Sequence, residues 1–138
     1  IGVRQIVPLL TARPIKPGVR LARLQTIAKE AAEQAGRGII PIVHSPLALH
    51  DALKALPSDT SPLFFHTGSD AASWLTQLRT THPSSIACFI GPEGGWTDDE
   101  VALAQEHGLH MGSLGPLVLR GETAATIASY LAVHALVG

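Results

Sequence analysis

Between Ile90 and Glu100 the chain reads IGPEGGWTDDE, with Gly91, Gly94 and Gly95, a proline and Glu93 inside five positions. Without a Cβ, glycines let a ligand lie against the backbone and use its N–H and C=O groups as readers. A helix beginning near Thr97 adds a partial positive end. The spacing matches neither G-x-G-x-x-G nor G-x-x-x-x-G-K-[ST], and Glu93 would repel a pyrophosphate. Adenine, ribose hydroxyls or a zwitterion suit the loop better; the plain alternative is a tight strand-to-helix turn. Two further loops of unusual composition leave strand-like runs: HTGSD after PLFFH, and LGPLVLRGETA after HMGS. Such strand ends are where open parallel sheets bind ligands. In the last loop Arg120 could steady negative charge developing on a substrate. A surface ion pair with Glu122, worth little, is the alternative.

Other chemistry finds less support. The seven histidines show no H-x-x-x-H or H-E-x-x-H spacing, so no metal site is indicated. His66 is the histidine at a strand end, where packing is the competing explanation. No G-x-S-x-G is present, and Cys88 lies in the apolar run SSIACFI, as a small buried strand residue with no second cysteine to pair with.

The elements that must position these loops alternate in period. Val3–Leu10, Ile39–His44, Pro62–His66, Ser85–Ile90 and His110–Leu114 read as strands, with Pro41 hinting at an irregular or edge position. Val19–Ala35 reads as a helix whose apolar face is Leu21, Leu24, Ala28, Ala31 and Ala35, ended by Gly36. Ser45-Pro46 looks like a cap and first residue for a helix carrying Leu49, Ala52, Leu53 and Leu56. Ser69 or Asp70 can cap the next, with Ala71, Trp74, Leu75 and Leu78. Thr97 and Glu100 make a capping box for a helix that Gly108 can end. A last helix, Glu122–Val137, carries no Lys, Arg, Asp or Glu after Glu122, which predicts burial on most sides, against a second copy included. Alternating strands and helices predict an α/β domain with a mostly parallel sheet flanked by helices.

With 138 residues the chain has the length of one domain. Apolar residues at 46% and charged residues at 15% exclude a disordered chain. No apolar run reaches the roughly 18 residues of a membrane span, and no secretory or transit signal is visible, so the expected location is cytoplasmic. A formal charge of −1, without repeats or charge blocks, lacks the basic excess of a domain that binds nucleic acid alone. The start at Ile1 reads as mid-protein sequence, so residues 1–138 are expected to be one domain of a longer protein.

Three motifs, in order, carry a resemblance. IGVRQIVPLLTAR opens the chain; KEAAEQAGR, Lys29–Arg37, followed by Pro41, is similar to an EAxEQxxR…P signature; IGPEGGWTDDEVALAQEHG is followed by LGPLVLRGETAA. Together they resemble the RsmE family of 16S ribosomal RNA uridine N3-methyltransferases, in the SPOUT superfamily, over nearly the whole chain. The resemblance implies a sheet that ends in a deep trefoil knot, a rare exception to chain topology rules. It also implies a homodimer with S-adenosyl-L-methionine held in the knot. Ile90, Gly91, Pro92, Glu93, Gly94 and Gly95 would form one wall of the cofactor site. Leu114, Gly115, Leu117 and Leu119 would form another, and Phe65, His66 and Thr67 a third. Arg120 would orient the uridine or stabilise its anion, with Glu122 as orienting partner. Gln34 and Arg37 would face RNA or the dimer partner. The implied substrate is 16S ribosomal RNA, within an assembled small-subunit particle, with no metal and no membrane. Two departures stand out. Gly121 replaces a threonine of the family's LRTETA, and the family's N-terminal RNA-binding barrel of the PUA type is absent from this sequence. Rival expectations are a SPOUT enzyme for another target, such as a transfer RNA ribose 2′-hydroxyl, a catalytically silent cofactor-binding dimerisation module, and a nucleotide-binding module.

Overall fold

The computed structural model describes residues 2–10, 20–67 and 73–137. Near the start, β1 (Gln5–Ile6) lies parallel to β3 (Ile42–Val43), and β2 (Leu9–Leu10) lies parallel to β4 (Leu47–Ala48). The single strands expected over Val3–Leu10 and Ile39–His44 are therefore shorter and broken. Pro8 and Pro46 have no N–H for a ladder, and the register slips by one residue between the pairs, Gln5 facing Ile42 but Leu9 facing Leu47. The carbonyls stay in use: the His44 N–H donates to Ile6 O at 2.9 Å and the Leu47 N–H to Pro8 O at 3.0 Å. The second bond explains a correction. Ser45-Pro46 starts no helix, because Leu47 and Ala48 are held extended. The helix, α2 (Leu49–Lys54), begins after Ala48, with no side-chain cap.

Helix α1 (Leu21–Gln34) packs along β3; the expected start at Val19 lies outside the described residues. Gln25 fixes the contact, its Nε2 donating to Pro41 O and its Oε1 accepting from Val43 N–H, both at 2.9 Å. These bonds satisfy strand groups that no neighbouring strand reaches. The expected apolar face is only partly covered. Ala32 is buried, Leu24 and Ala28 are half-buried, and Leu21, Ala31 and Ala35 are exposed.

A three-stranded parallel sheet carries the rest, in the order β6 (Ser85–Ile90), β5 (Thr60–Phe65), β7 (His110–Gly112). Its central strand sorts two cores, because alternate side chains leave opposite faces of a pleated strand. Phe64 joins Leu49 and Leu53 of α2, Phe89, Trp96 and Ala104. Leu63 and Phe65 join Trp74 and Leu78 of α3 (Ser73–Thr81), with Ala128, Ala132 and Ala135 of α5 (Gly121–Val137). Helices thus cover both faces, as a parallel sheet requires. The proposed caps Ser69 and Asp70, and Ala71, lie outside the described residues.

Helix α4 (Asp98–Glu106) has the expected capping box: Thr97 Oγ1 accepts from Glu100 N–H at 3.2 Å, and Glu100 Oε1 accepts from Thr97 N–H at 2.8 Å. Strand β7 stops at Gly112, short of Leu114, where the chain bends. Helix α5 shows one buried stripe of alanines, while Tyr130 is 52% and Val137 81% exposed. Burial on most sides does not hold within the single chain.

Candidate functional site

The three loops that follow the sheet strands meet at one end of the sheet. Phe65 ends β5 and His66 and Thr67 follow it; Ile90 ends β6 and Gly91, Pro92, Glu93, Gly94 and Gly95 follow it; Leu114, Gly115, Leu117 and Leu119 follow β7. All thirteen line a single cavity of about 250 Å³. Adjacency in the sheet produces this convergence, since β5 pairs with both β6 and β7 in parallel and the carboxyl ends align. Trp96, Ser113, Val118, Gly121 and Ala124 complete the lining. His66 and Glu93 are its ionisable side chains among the described residues. The remaining walls are backbone, small polar groups and apolar side chains, suited to hydrogen bonding and shape rather than to charge.

Arg120 and Glu122 sit at the start of α5 but do not line the cavity, and both are exposed. Among the described residues no ion pair joins them; the pair found is Lys29–Glu33 at 3.9 Å. The Arg120 carbonyl accepts from Ala124 N–H at 2.8 Å and so closes the first turn of α5. Gln34 and Arg37 are elsewhere. Arg37 lines a separate groove beside α1 and Gln34 ends that helix, exposed.

Two tryptophans hold the walls, and sequence reasoning missed both roles. Trp96 is 7% exposed, stacks on Phe64 with ring centroids 4.4 Å apart, and donates its indole N–H to Phe65 O at 2.9 Å. The glycine loop is thereby pinned to the end of β5. Trp74, fully buried, donates its indole N–H to Ser113 O at 3.0 Å and packs edge-on to Phe65 at 5.0 Å. That fixes the end of β7. A buried tryptophan seeks a partner for its one polar atom, which is the signal the sequence offered. Its acceptor was not readable.

Backbone bonds finish the frame. The His66 N–H donates to Gly112 O at 3.0 Å, and the Gly95 N–H to Pro92 O at 2.8 Å. Ser113 Oγ accepts from Gly115 N–H and donates to Gly115 O, both at 3.2 Å. Gly115 sits at φ +114, a region other residues rarely adopt. At Gly91 an added Cβ would lie 2.9 Å from Trp96 Nε1, so glycine is required by close approach. Cys88, in β6, is half-buried, and burial pushes its thiol up to about 11, which leaves it unsuited to nucleophilic work.

A ribosomal RNA small subunit methyltransferase E of Synechocystis sp. is 38% identical over 132 residues, which cover 93% of this chain and 44% of that protein. Its counterpart in Rickettsia conorii is 32% identical over 130 residues, 93% of this chain and 52% of its own. The chain thus spans about half the length of these relatives. Among solved structures, ribosomal RNA small subunit methyltransferase E of Neisseria gonorrhoeae, bound to S-adenosyl methionine, superposes with a TM-score of 0.82 at 36% identity, over 96% of this chain and 56% of that one. A Legionella pneumophila structure with bound cofactor SAM gives 0.82 at 33% identity, over 96% and 56%. Residues 1–133 match the RNA methyltransferase domain family, and to that family this chain belongs.

Proposed function

We propose that this chain is the cofactor-binding and catalytic domain of an enzyme that methylates N3 of a uridine in 16S ribosomal RNA, with S-adenosylmethionine as methyl donor. The observation that carries the reading is the convergence of three strand-end loops on one cavity walled by backbone groups. Its residues fit the cofactor. Backbone groups along these two loops that are not bonded within them can read adenine and ribose hydroxyls, and the leucines can cover apolar parts. When bound, the cofactor supplies an electrophilic methyl group. The chain's share is positioning: the rigid frame around Phe65, Trp96 and Ser113 sets where the uridine must approach. Arg120, exposed at the start of α5, is the group proposed to meet the base and favour its N3 anion, with Glu122 beside it. In this reading the C-terminal segment passes through a trefoil knot. Two copies pair through the exposed side of α5, with Ile127, Tyr130 and Val137 on it. The substrate is the RNA within a small-subunit particle in the cytoplasm, and an N-terminal RNA-binding domain belongs to the complete enzyme.

Calorimetric titration with S-adenosylmethionine, S-adenosylhomocysteine and ATP tests the pocket. Saturable binding near one ligand per chain with ATP inert is expected; a folded chain that binds none of them rejects it. Mapping the methyl on modified RNA to N3 rather than to a ribose oxygen tests the chemistry. A second reading, a silent cofactor-binding dimerisation module, draws on Arg120 and Glu122 lying outside the cavity lining and on Gly121 in the motif. It predicts cofactor binding with no turnover on small-subunit particles.

A further inference from the structure

In the proposed reaction, methyl donor and spent product differ at one place. Transfer of the methyl to uridine N3 leaves the S–C electron pair on sulfur, so a sulfonium cation becomes a neutral thioether, and the N3 proton goes to solvent. Adenine, ribose, amino group and carboxylate are common to both molecules. Hydrogen bonds to those shared parts hold the two alike. Only a group that meets the methyl or senses the charge on sulfur separates them.

The cavity holds one acid. Of its eighteen lining residues, Glu93 is the carboxylate and His66 the other ionisable side chain, and no lysine or arginine is among them. Backbone bonding places Glu93. The Gly95 N–H donates to Pro92 O at 2.8 Å, which closes a turn with Glu93 and Gly94 at its tip. The Trp96 indole ties that loop to Phe65 O, so the tip stays at the cavity. The Glu93 side chain is exposed, and among the described residues no ion pair engages it. Its surroundings share its sign. Residues 45–138, which supply the whole lining, hold nine Asp and Glu against three Lys and Arg, a formal −6. Of those three, Arg120 is exposed at the start of α5, outside the lining. Such a balance favours a cationic ligand over a neutral one and repels an anion.

We propose that Glu93 discriminates between donor and product by charge: it attracts the sulfonium form of the cofactor and has no such hold on the thioether, so fresh donor displaces spent product. The inference rests on the S-adenosylmethionine reading of the cavity and deepens it. The carboxylate needs no contact with the shared parts, and its own place in the turn is secured by backbone. Because it is exposed, its attraction is that of charges in water. At about 4 Å this amounts to roughly fivefold in affinity, and at about 8 Å to roughly twofold. Salt screens it, with a Debye length of about 10 Å at 0.1 M and about 3 Å at 1 M.

The test is calorimetric titration with S-adenosylmethionine and, separately, S-adenosylhomocysteine, at about 0.1 M and about 1 M salt. Glu93→Gln keeps the size of the side chain and removes its charge. At the lower salt it weakens S-adenosylmethionine about two- to fivefold and leaves S-adenosylhomocysteine unchanged; at the higher salt the difference from the unaltered chain closes. Glu93→Asp restores the preference for the donor. Glu106→Gln is an equal charge loss at the far end of the nine-residue α4, about 12 Å along the helix, and moves neither affinity. Equal weakening of both ligands by Glu93→Gln overturns the proposal and assigns the carboxylate to a shared part, such as the amino group. An unchanged ratio of the two affinities, or the same shift from Glu106→Gln, overturns it as well. Binding of neither ligand by the unaltered chain rejects the cofactor reading itself, and this inference with it.

Discussion

Gly91→Ala is the smallest change that strikes the proposed site without adding charge or removing a polar group. The new methyl would lie 2.9 Å from Trp96 Nε1, 3.0 Å from Cε2 and 3.2 Å from Cδ1. Carbon atoms in good contact stand about 3.5–4.0 Å apart, so one partner must yield. The indole has little room: it is stacked on Phe64, itself fully buried, and tied to Phe65 O. Overpacking of this kind costs about 1–3 kcal/mol. If the ring swings away, the Phe65 carbonyl loses its donor, a further cost of about 1–3 kcal/mol. At about 2 kcal/mol, the low end of the two costs together, and about 2.1 cal/mol/K per residue of unfolding entropy, Tm falls by at least about 7 °C.

The loop and the end of β5 should separate together, because one indole joins them. Differential scanning calorimetry measures the first effect, and titration with S-adenosylmethionine the second. A cost of about 1.4 kcal/mol carried into the bound state weakens affinity tenfold, and a loss of about that size is expected. An unchanged Tm refutes the packing argument. A lowered Tm with unchanged affinity refutes the claim that Trp96 shapes the cofactor wall.

Further outcomes follow from single contacts. Trp96→Phe keeps an apolar ring but leaves Phe65 O without its donor, and Trp74→Phe does the same to Ser113 O; each should lose about 1–3 kcal/mol in denaturant titrations and weaken cofactor binding. Thr97→Ala removes one arm of the capping box and should cost about 1 kcal/mol, read as a drop of about 3–4 °C in Tm with the cofactor titration little changed. Gly121→Ala places its methyl 3.9 Å from Gly91 O, an ordinary contact, and should raise stability by about 0.5–1 kcal/mol by restricting the unfolded chain. Cys88 should resist alkylation at pH 7.5 until the chain is unfolded. Its thiol rises from 9.0 unfolded to about 11 folded, so the folded state holds the proton longer; its contribution is complete below pH 9 and is lost as pH climbs to about 11, seen as a falling Tm over that interval.

The sequence exposed this site more fully than the elements that hold it, and the reason lies in which interactions are local. Gly91, Gly95 and Gly115 declare themselves because backbone conformation and close approach restrict residue type position by position. The capping box at Thr97 and Glu100 is likewise contained in four residues. By contrast, Ser45-Pro46 has every local mark of a helix start, yet Leu47 is drawn into a ladder by a carbonyl at Pro8, far back in the chain. The prolines that break both strand pairs were visible; the one-residue slip between them depends on two segments at once. Trp74 and Trp96 show the same limit. Either could be placed on its apolar run, but the acceptors at Ser113 and Phe65 are 39 and 31 residues away. In this domain the cavity-lining residues of the loops are specified by what each must be, and the supporting residues by what they must meet.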